Sequence, residues 1–138
     1  MTPPSFPSAF KHYKPRSQRI YGVIAISKDN RILLVKGRER NKWSFPKGHI
    51  KPHENGHNCA MRECFEETGI SLSDVEYNDH RKLSSGSYYI YRGLDEEDPI
   101  IQDNSEICDA SWISIPSMMN LYTNIDVSKF LQEYNTIM

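Results

Sequence analysis

Four charged residues fall within six positions of this chain: Arg62, Glu63, Glu66 and Glu67. On an α-helix, the i, i+3 and i, i+4 spacings bring the glutamate side chains toward one side. Like charges at these spacings destabilise a helix, so a chain that gathers them usually has a cation to neutralise them. Carboxylate oxygens suit Mg²⁺ or Mn²⁺, whereas Zn²⁺ prefers histidine and cysteine. The cluster therefore indicates a site for a hard divalent cation.

A longer pattern surrounds this cluster and resembles the Nudix box. Seven fixed residues stand at the offsets of that motif: Gly48, Glu54, Arg62, Glu63, Glu66, Glu67 and Gly69. Cys64 takes a position where the motif has a bulky aliphatic residue, and cysteine can act there as a small buried hydrophobe. The resemblance implies the Nudix fold, an α/β/α sandwich with a mixed sheet.

The resemblance also implies roles for the motif residues. It makes Glu63, Glu66 and Glu67 the metal ligands, with the carbonyl of Gly48 as a further one. Glu54 and Arg62 resemble the family's structural pair, in which the arginine braces the loop and orients the carboxylates.

The chemistry that such a site suits is cleavage of a phosphoanhydride. Divalent cations stabilise the charge that develops on phosphate oxygens, orient the phosphates and acidify water. A general base must also take a proton from the attacking water. Glu67 is the preferred candidate and Glu66 belongs to the same catalytic set, while Glu106, in a late loop, is the rival base. The number of metal ions, two or three, stays open.

Beyond the box, residues 10–116 resemble the catalytic domain of mRNA-decapping Nudix enzymes. The segments that carry this resemblance are Phe10–Lys14, Tyr21–Ile24, Leu33–Gly37, Trp43–Gly48, Cys59–Glu63 and Glu106–Ile107 ahead of Trp112. We therefore expect cleavage of a nucleoside diphosphate linkage, with the 5′ cap of mRNA as one candidate. Two features count against the cap. The decapping enzyme has a helical regulatory domain before its Nudix domain, and this chain has no room for one. The basic RNA-binding helix of that family is also not evident, because the final segment, Asp126–Met138, has one lysine.

Other substrates and a non-catalytic role stay open. The segment around Lys47–Glu54 also resembles diadenosine tetraphosphate hydrolases, and diphosphoinositol polyphosphate hydrolases are another small relative. A binding module on the same fold is a lesser alternative, because the carboxylates are intact. The predicted substrate-binding residues are Lys47, Arg38, Arg40 and Trp43, within a basic patch that also includes Lys36, Lys42 and Lys51. Three tyrosines, Tyr88, Tyr89 and Tyr91, could stack on a base, although core packing is the commoner role.

Composition sets the context of this chemistry. The chain has 138 residues and a net charge of −1, which fits one domain and gives no global field to gather nucleic acid. Three cysteines without metal-ligand spacing fit a reducing compartment, and no long apolar run is present. We expect a soluble cytoplasmic protein that does not contact membranes, with a flexible arm at 1–9 and a single domain at 10–138.

Hydrophobic periodicity predicts the elements that position the site. We expect a helix from Glu54 or Asn55 to Thr68, with one buried side formed by Cys59, Ala60, Cys64 and Phe65. The expected strands are Tyr21–Ile26, Arg31–Lys36, Trp43–Lys47, Ser87–Arg92 and Asp109–Ile115, with a weaker one between Asp74 and Lys82. Asp126 is expected to open a last helix, and Asp95–Asp98 to form a solvated acidic turn.

Overall fold

The sheet begins with two apolar strands that the turn Lys28–Asn30 connects. The computed structural model describes residues 15–137, and within them β1 spans Ile20–Ser27 and β2 spans Arg31–Gly37. Both strands are rich in buried Val, Ile and Leu, as expected of strands that are covered on both faces. Asn30 sits in the left-handed region at φ 59°, which asparagine tolerates in turns. The predicted arm at 1–9 and the segment Phe10–Lys14 lie outside the described residues.

The two strands share a single register pair, Ile26 with Ile32, and then diverge. The first strand pairs antiparallel with β4, Lys47–His49, and parallel with β6, Ser87–Leu94. The second pairs with β3, Trp43–Ser44, and with β7, Ile107–Ser114. Because Pro46 lacks an N–H and stands between β3 and β4, the predicted strand Trp43–Lys47 is split into two short pieces.

Two longer helices cover the two faces of this mixed sheet. Helix α1, Gly56–Thr68, packs on one face, where Ala60 and Cys64 contact the cluster that includes Val23 and Leu33. On the other face lies α3, Ile125–Ile137, with Val127 and Phe130 in a second cluster around Ile24, Phe45 and Tyr88. The α/β/α sandwich with a mixed sheet is thereby confirmed. The remaining elements are a short 3-10 helix, Arg16–Gln18, the strand β5, Asp79–Lys82, and the short helix α2, Ile115–Met118. The sequence pattern did not predict α2.

Local signals fix the ends of α1. Asn55 accepts a hydrogen bond from the N–H of Asn58 at 2.8 Å, which satisfies one of the free donors of the first turn. Gly69 follows the helix at φ 71°, and its N–H donates to the carbonyl of Phe65 at 2.7 Å. This left-handed ending is the one that glycine permits at least cost. The helix was therefore predicted to within one or two residues.

Two local expectations were wrong. Phe65 is 46% exposed, because the buried side of α1 is formed instead by small residues and by Glu63 and Glu67. Asp126 does not open α3: Asn124 accepts the N–H of Val127, while Asp126 itself is fully buried. The acidic segment at 95–98 is largely solvated as expected, because three of its four acids are exposed, while Glu96 accepts hydrogen bonds from Ser27 and Arg31.

The helices described between residues 15 and 137 are all too short or too polar to traverse a bilayer.

Candidate active site

Helix α1 places two of its glutamates, Glu63 and Glu67, in a buried position beside β4. Glu63 is 8% exposed and Glu67 is 5% exposed, which is rare for carboxylates unless they have partners. The carboxylate of Glu63 lies so close to Gly48 that an added Cβ would stand 2.0 Å from its Oε2. A side chain at position 48 would therefore displace Glu63, and this close approach explains why glycine occupies the position.

Arg62 is the hub that connects these acids to the preceding loop. Its Nε and Nη2 donate to the two carboxylate oxygens of Glu54 at 2.7 and 2.9 Å, a two-pronged contact that matches the shape of the guanidinium. Its Nη1 donates to Glu63 at 2.8 Å and to Glu66 at 3.2 Å, and Nη2 also reaches the carbonyl of His49 at 3.1 Å. The hydrogen bonds from Arg62 are the main reason why the pKa of Glu54 falls to about 2.

Glu67 is held differently, since its Oε1 accepts the backbone N–H of Lys47 at 3.0 Å. Burial is the main cause that raises the pKa of Glu63 to about 7 and that of Glu67 to about 8. The negative charge of Glu106 adds to both shifts, so this residue lies within electrostatic reach of the helix glutamates. The acidic cluster accordingly consists of Glu63, Glu66, Glu67 and Glu106.

The loop that carries Glu106 is bonded to the same helix. The carbonyl of Glu66 accepts the N–H groups of Gln102 and Asp103 at 3.0 and 2.8 Å. The N–H of Ile100 donates to the carbonyl of Thr68 at 2.7 Å, and a Cβ on Gly69 would come within 2.4 Å of the carbonyl oxygen of Ile100. This segment therefore covers the end of α1 and brings the later glutamate to the cluster.

The donor set fits a hard divalent cation in its chemistry, although it is not arranged as a ready cage. Among residues 15–137, no three His, Cys, Asp or Glu side chains are already placed so that they hold a metal ion. The reason is visible in the contacts, because Glu63 and Glu66 turn to Arg62 while Glu67 turns to the amide of Lys47. These glutamates raise one another's pKa because their negative charges lie close together. A divalent cation that binds oxygen ligands would neutralise those charges.

The predicted substrate-binding residues are only partly gathered. Lys47 is half-buried beside Glu67, and its charge opposes the upward shift of the pKa of that glutamate. Arg40 is exposed in the loop between β2 and β3, whereas Arg38 donates from Nε to the carbonyl of Asn104. Trp43 is half-buried and packs against the core cluster on the α3 face. Of the tyrosines considered for base stacking, Tyr88 and Tyr91 are fully buried and act as core residues.

Sequence reasoning missed a buried polar pair beside the site. The hydroxyl of Tyr88 donates to Asp126 at 2.5 Å, and the same carboxylate accepts the N–H of Ser85 at 2.8 Å. Burial raises the pKa of Tyr88, and the charges of Asp126 and Glu67 act in the same direction. The only signal for this pair in the sequence was Asp126 itself, an acidic residue in the first turn of the last helix. Its spacing from the apolar residues places it on the apolar side of that helix.

The fold and the acidic cluster together define a hydrolase-type site of the Nudix class. The NUDIX domain family model matches residues 16–134, and the chain belongs to the Nudix family. It is 42% identical over 66 residues to mRNA-decapping enzyme subunit 2 of Arabidopsis thaliana, an alignment that covers 48% of this chain and 18% of the relative. It is 33% identical over 67 residues to the RNA pyrophosphohydrolase of Pasteurella multocida, covering 49% of this chain and 32% of the relative.

A solved structure supports the fold independently. The Ap4A hydrolase of C. elegans, in a binary complex, superposes with a TM-score of 0.72 at 19% sequence identity, and the match covers 86% of this chain and 97% of the other. At this level of identity the likeness concerns the fold alone. The chain spans less than a third of the length of the curated relatives it matches. The resemblance to decapping enzymes and the Nudix fold are both confirmed.

Proposed function

We propose that this chain is a pyrophosphohydrolase that cleaves a nucleoside diphosphate linkage at the 5′ end of RNA, with the mRNA cap as the first candidate. The observation that carries the proposal is the acidic cluster. Two of its carboxylates are almost fully buried, and Gly48 leaves room for one of them, that of Glu63. Burying charged groups is costly unless they are paired, and such clusters concentrate at functional sites. The curated relatives described above are named as an mRNA-decapping enzyme subunit and an RNA pyrophosphohydrolase, and these names support the choice of an RNA substrate.

The cation that this proposal requires is Mg²⁺ or Mn²⁺. Glu63, Glu66 and Glu67 would hold it, with the carbonyl of Gly48 as a further donor. A bound divalent cation stabilises negative charge on the phosphate oxygens and orients the diphosphate. Cys59 already donates its thiol hydrogen to the carbonyl of Gly48, with 3.6 Å between sulfur and oxygen, which keeps that carbonyl oriented toward α1.

The residues of the chain supply the remaining functions. Arg62 orients Glu63 and Glu66 through its hydrogen bonds while Glu54 holds the arginine itself. Glu67 and Glu106 are the two candidates for the general base. Burial raises the pKa of Glu67 to about 8 when no cation is bound, and a bound divalent cation would lower that pKa so that the carboxylate is free to take a proton. We infer that the ammonium of Lys47, whose positive charge acts on Glu67, donates to a phosphate oxygen of the substrate.

The test is product analysis with and without Mg²⁺ or Mn²⁺, using capped RNA, 5′-triphosphorylated RNA, dinucleoside polyphosphates, nucleoside triphosphates and diphosphoinositol phosphates. We expect release of a nucleoside diphosphate or of pyrophosphate from the RNA substrates. Glu66→Gln should lower kcat by about 10² to 10⁴-fold, because it removes a charge from the cluster. Its amide oxygen can still accept from Arg62, so the midpoint of thermal unfolding should change little.

A matched control removes the same charge elsewhere. Glu76 is exposed and lies beyond the end of α1, so Glu76→Gln should keep the wild-type rate. Undiminished turnover by the Glu66→Gln variant would refute the assignment of the metal ligands. Turnover of inositol compounds alone would refute the choice of RNA, and ligand binding without hydrolysis of any substrate would favour a binding module.

A further inference from the structure

Arg38, at the end of β2, is bonded to the loop that carries Glu106. Its backbone N–H donates to the carbonyl of Glu106 at 2.8 Å, and its side-chain Nε donates to the carbonyl of Asn104 at 3.0 Å. The two contacts join segments more than 60 residues apart in sequence, and Arg38 and Asn104 are separated by 66 positions. One arginine thus holds the loop both through its backbone and through its guanidinium.

The opposite end of this loop is fixed to α1. Its amides at Gln102 and Asp103 donate to the carbonyl of Glu66, one of the acidic cluster. Inside the loop, the carboxylate of Asp103 accepts the N–H of Ser105 at 3.1 Å and its hydroxyl at 2.6 Å. The backbone of Glu106 is therefore suspended between the helix that carries the acids on one side and Arg38 on the other.

We propose that Arg38 is a positioning residue that holds Glu106 in the acidic cluster, and that it does not bind the substrate directly. This inference rests on the proposed function, because it concerns how the site acts. The Glu106 side chain is exposed, so packing does not hold it in place. The next backbone bond in the loop, from Ile107 to the carbonyl of Asp103, is long at 3.4 Å. The hydrogen bond from the Arg38 guanidinium to the carbonyl of Asn104 is thus a side-chain contact that restrains this loop.

The rival role for Arg38 is a phosphate ligand, and kinetics separate the two. A phosphate ligand that contributes equally to ground state and transition state raises KM when it is removed, whereas loss of positioning lowers kcat. We expect Arg38→Ala to lower kcat by about tenfold or more with little change in KM. Arg38→Lys should not restore the rate, because lysine keeps the charge but has no Nε–H in the geometry that reaches Asn104. Lys82→Ala, which removes an exposed cation on β5, is the control for charge alone.

A double-mutant cycle with Glu106→Gln tests whether the arginine acts through the glutamate. We expect the double variant Arg38→Ala/Glu106→Gln to be no slower than Glu106→Gln alone, because the arginine has nothing left to position. Losses that multiply would overturn the proposal. So would an increase in KM at constant kcat, or rescue of the rate by Arg38→Lys.

Amide hydrogen exchange supplies a readout that does not depend on activity. In Arg38→Ala, the amides of 102–107 should exchange faster than in the wild type, while those in the middle of α1 should be unchanged. Equal exchange in the two proteins would overturn the positioning role. If the wild type turns over no diphosphate at all, the proposed function and the catalytic part of this inference both fail. The exchange rates then still decide whether Arg38 holds the loop.

Discussion

Replacing Gly69 by alanine tests how the end of α1 brings the Glu106 loop to the site. Gly69 has φ 71°, and a Cβ there would meet the carbonyl oxygen of Ile100 at 2.4 Å. The left-handed conformation alone costs a non-glycine residue about 1–2 kcal/mol. The overlap is with backbone, which cannot rotate away, and forced overlaps of this kind cost about 1–3 kcal/mol more. We expect Gly69→Ala to lower the free energy of unfolding by about 2–5 kcal/mol.

Gly93 offers a matched control for this prediction. It has nearly the same backbone angle, φ 68°, but a Cβ there would meet nothing within 4 Å. Gly93→Ala should therefore lose only the conformational part, about 1–2 kcal/mol, and keep its activity. The measurement is urea unfolding of both variants, combined with kcat on the best substrate. Equal losses in the two variants would refute the claim that Gly69 is required by the close approach of the loop.

Two further predictions concern buried polar contacts. Tyr88→Phe removes the hydroxyl that donates to buried Asp126. We expect the free energy of unfolding, measured in urea, to fall by about 1–3 kcal/mol. A loss near zero would show that this hydrogen bond adds no net stability. Glu54 has a pKa lowered to about 2 from 4.5, so its ionised form stabilises the fold above the unfolded pKa, and this contribution disappears as pH falls through about 2. One pKa unit corresponds to about 1.4 kcal/mol, so Glu54→Gln should be less stable than the wild type by up to about 3 kcal/mol at pH 7. The gap should close between pH 4.5 and 2, and a gap that is independent of pH would contradict the pairing with Arg62.

Local sequence patterns were sufficient to predict the main strands, α1 and the acidic motif. The apolar run in β1, the cap at Asn55 and the glycine at 69 are signals that act over a few residues. They therefore predicted the segments reliably, apart from the split that Pro46 introduces. The motif likewise anticipated that Glu54 and Arg62 lie together.

What could not be predicted depends on contacts between distant segments or on burial that the function imposes. Phe65 was expected inside, because apolar residues usually mark the buried side of a helix. Here carboxylates occupy part of that side, and the phenyl ring is left outside. The bond between Arg38 and Asn104 joins distant segments and is therefore invisible to any local pattern. The metal ligands, the general base and the substrate contacts stay predictions.

The hub formed by Arg62 has a consequence for the charge balance around α1. Its guanidinium serves as an internal counter-charge, shared by the acids at 54, 63 and 66 through four of its five N–H groups, while the fifth donates to the carbonyl of His49. These three acids therefore meet a compensating positive charge within the chain itself. The same arrangement does not tolerate lysine in place of Arg62, because a single ammonium cannot donate to three acids in those directions.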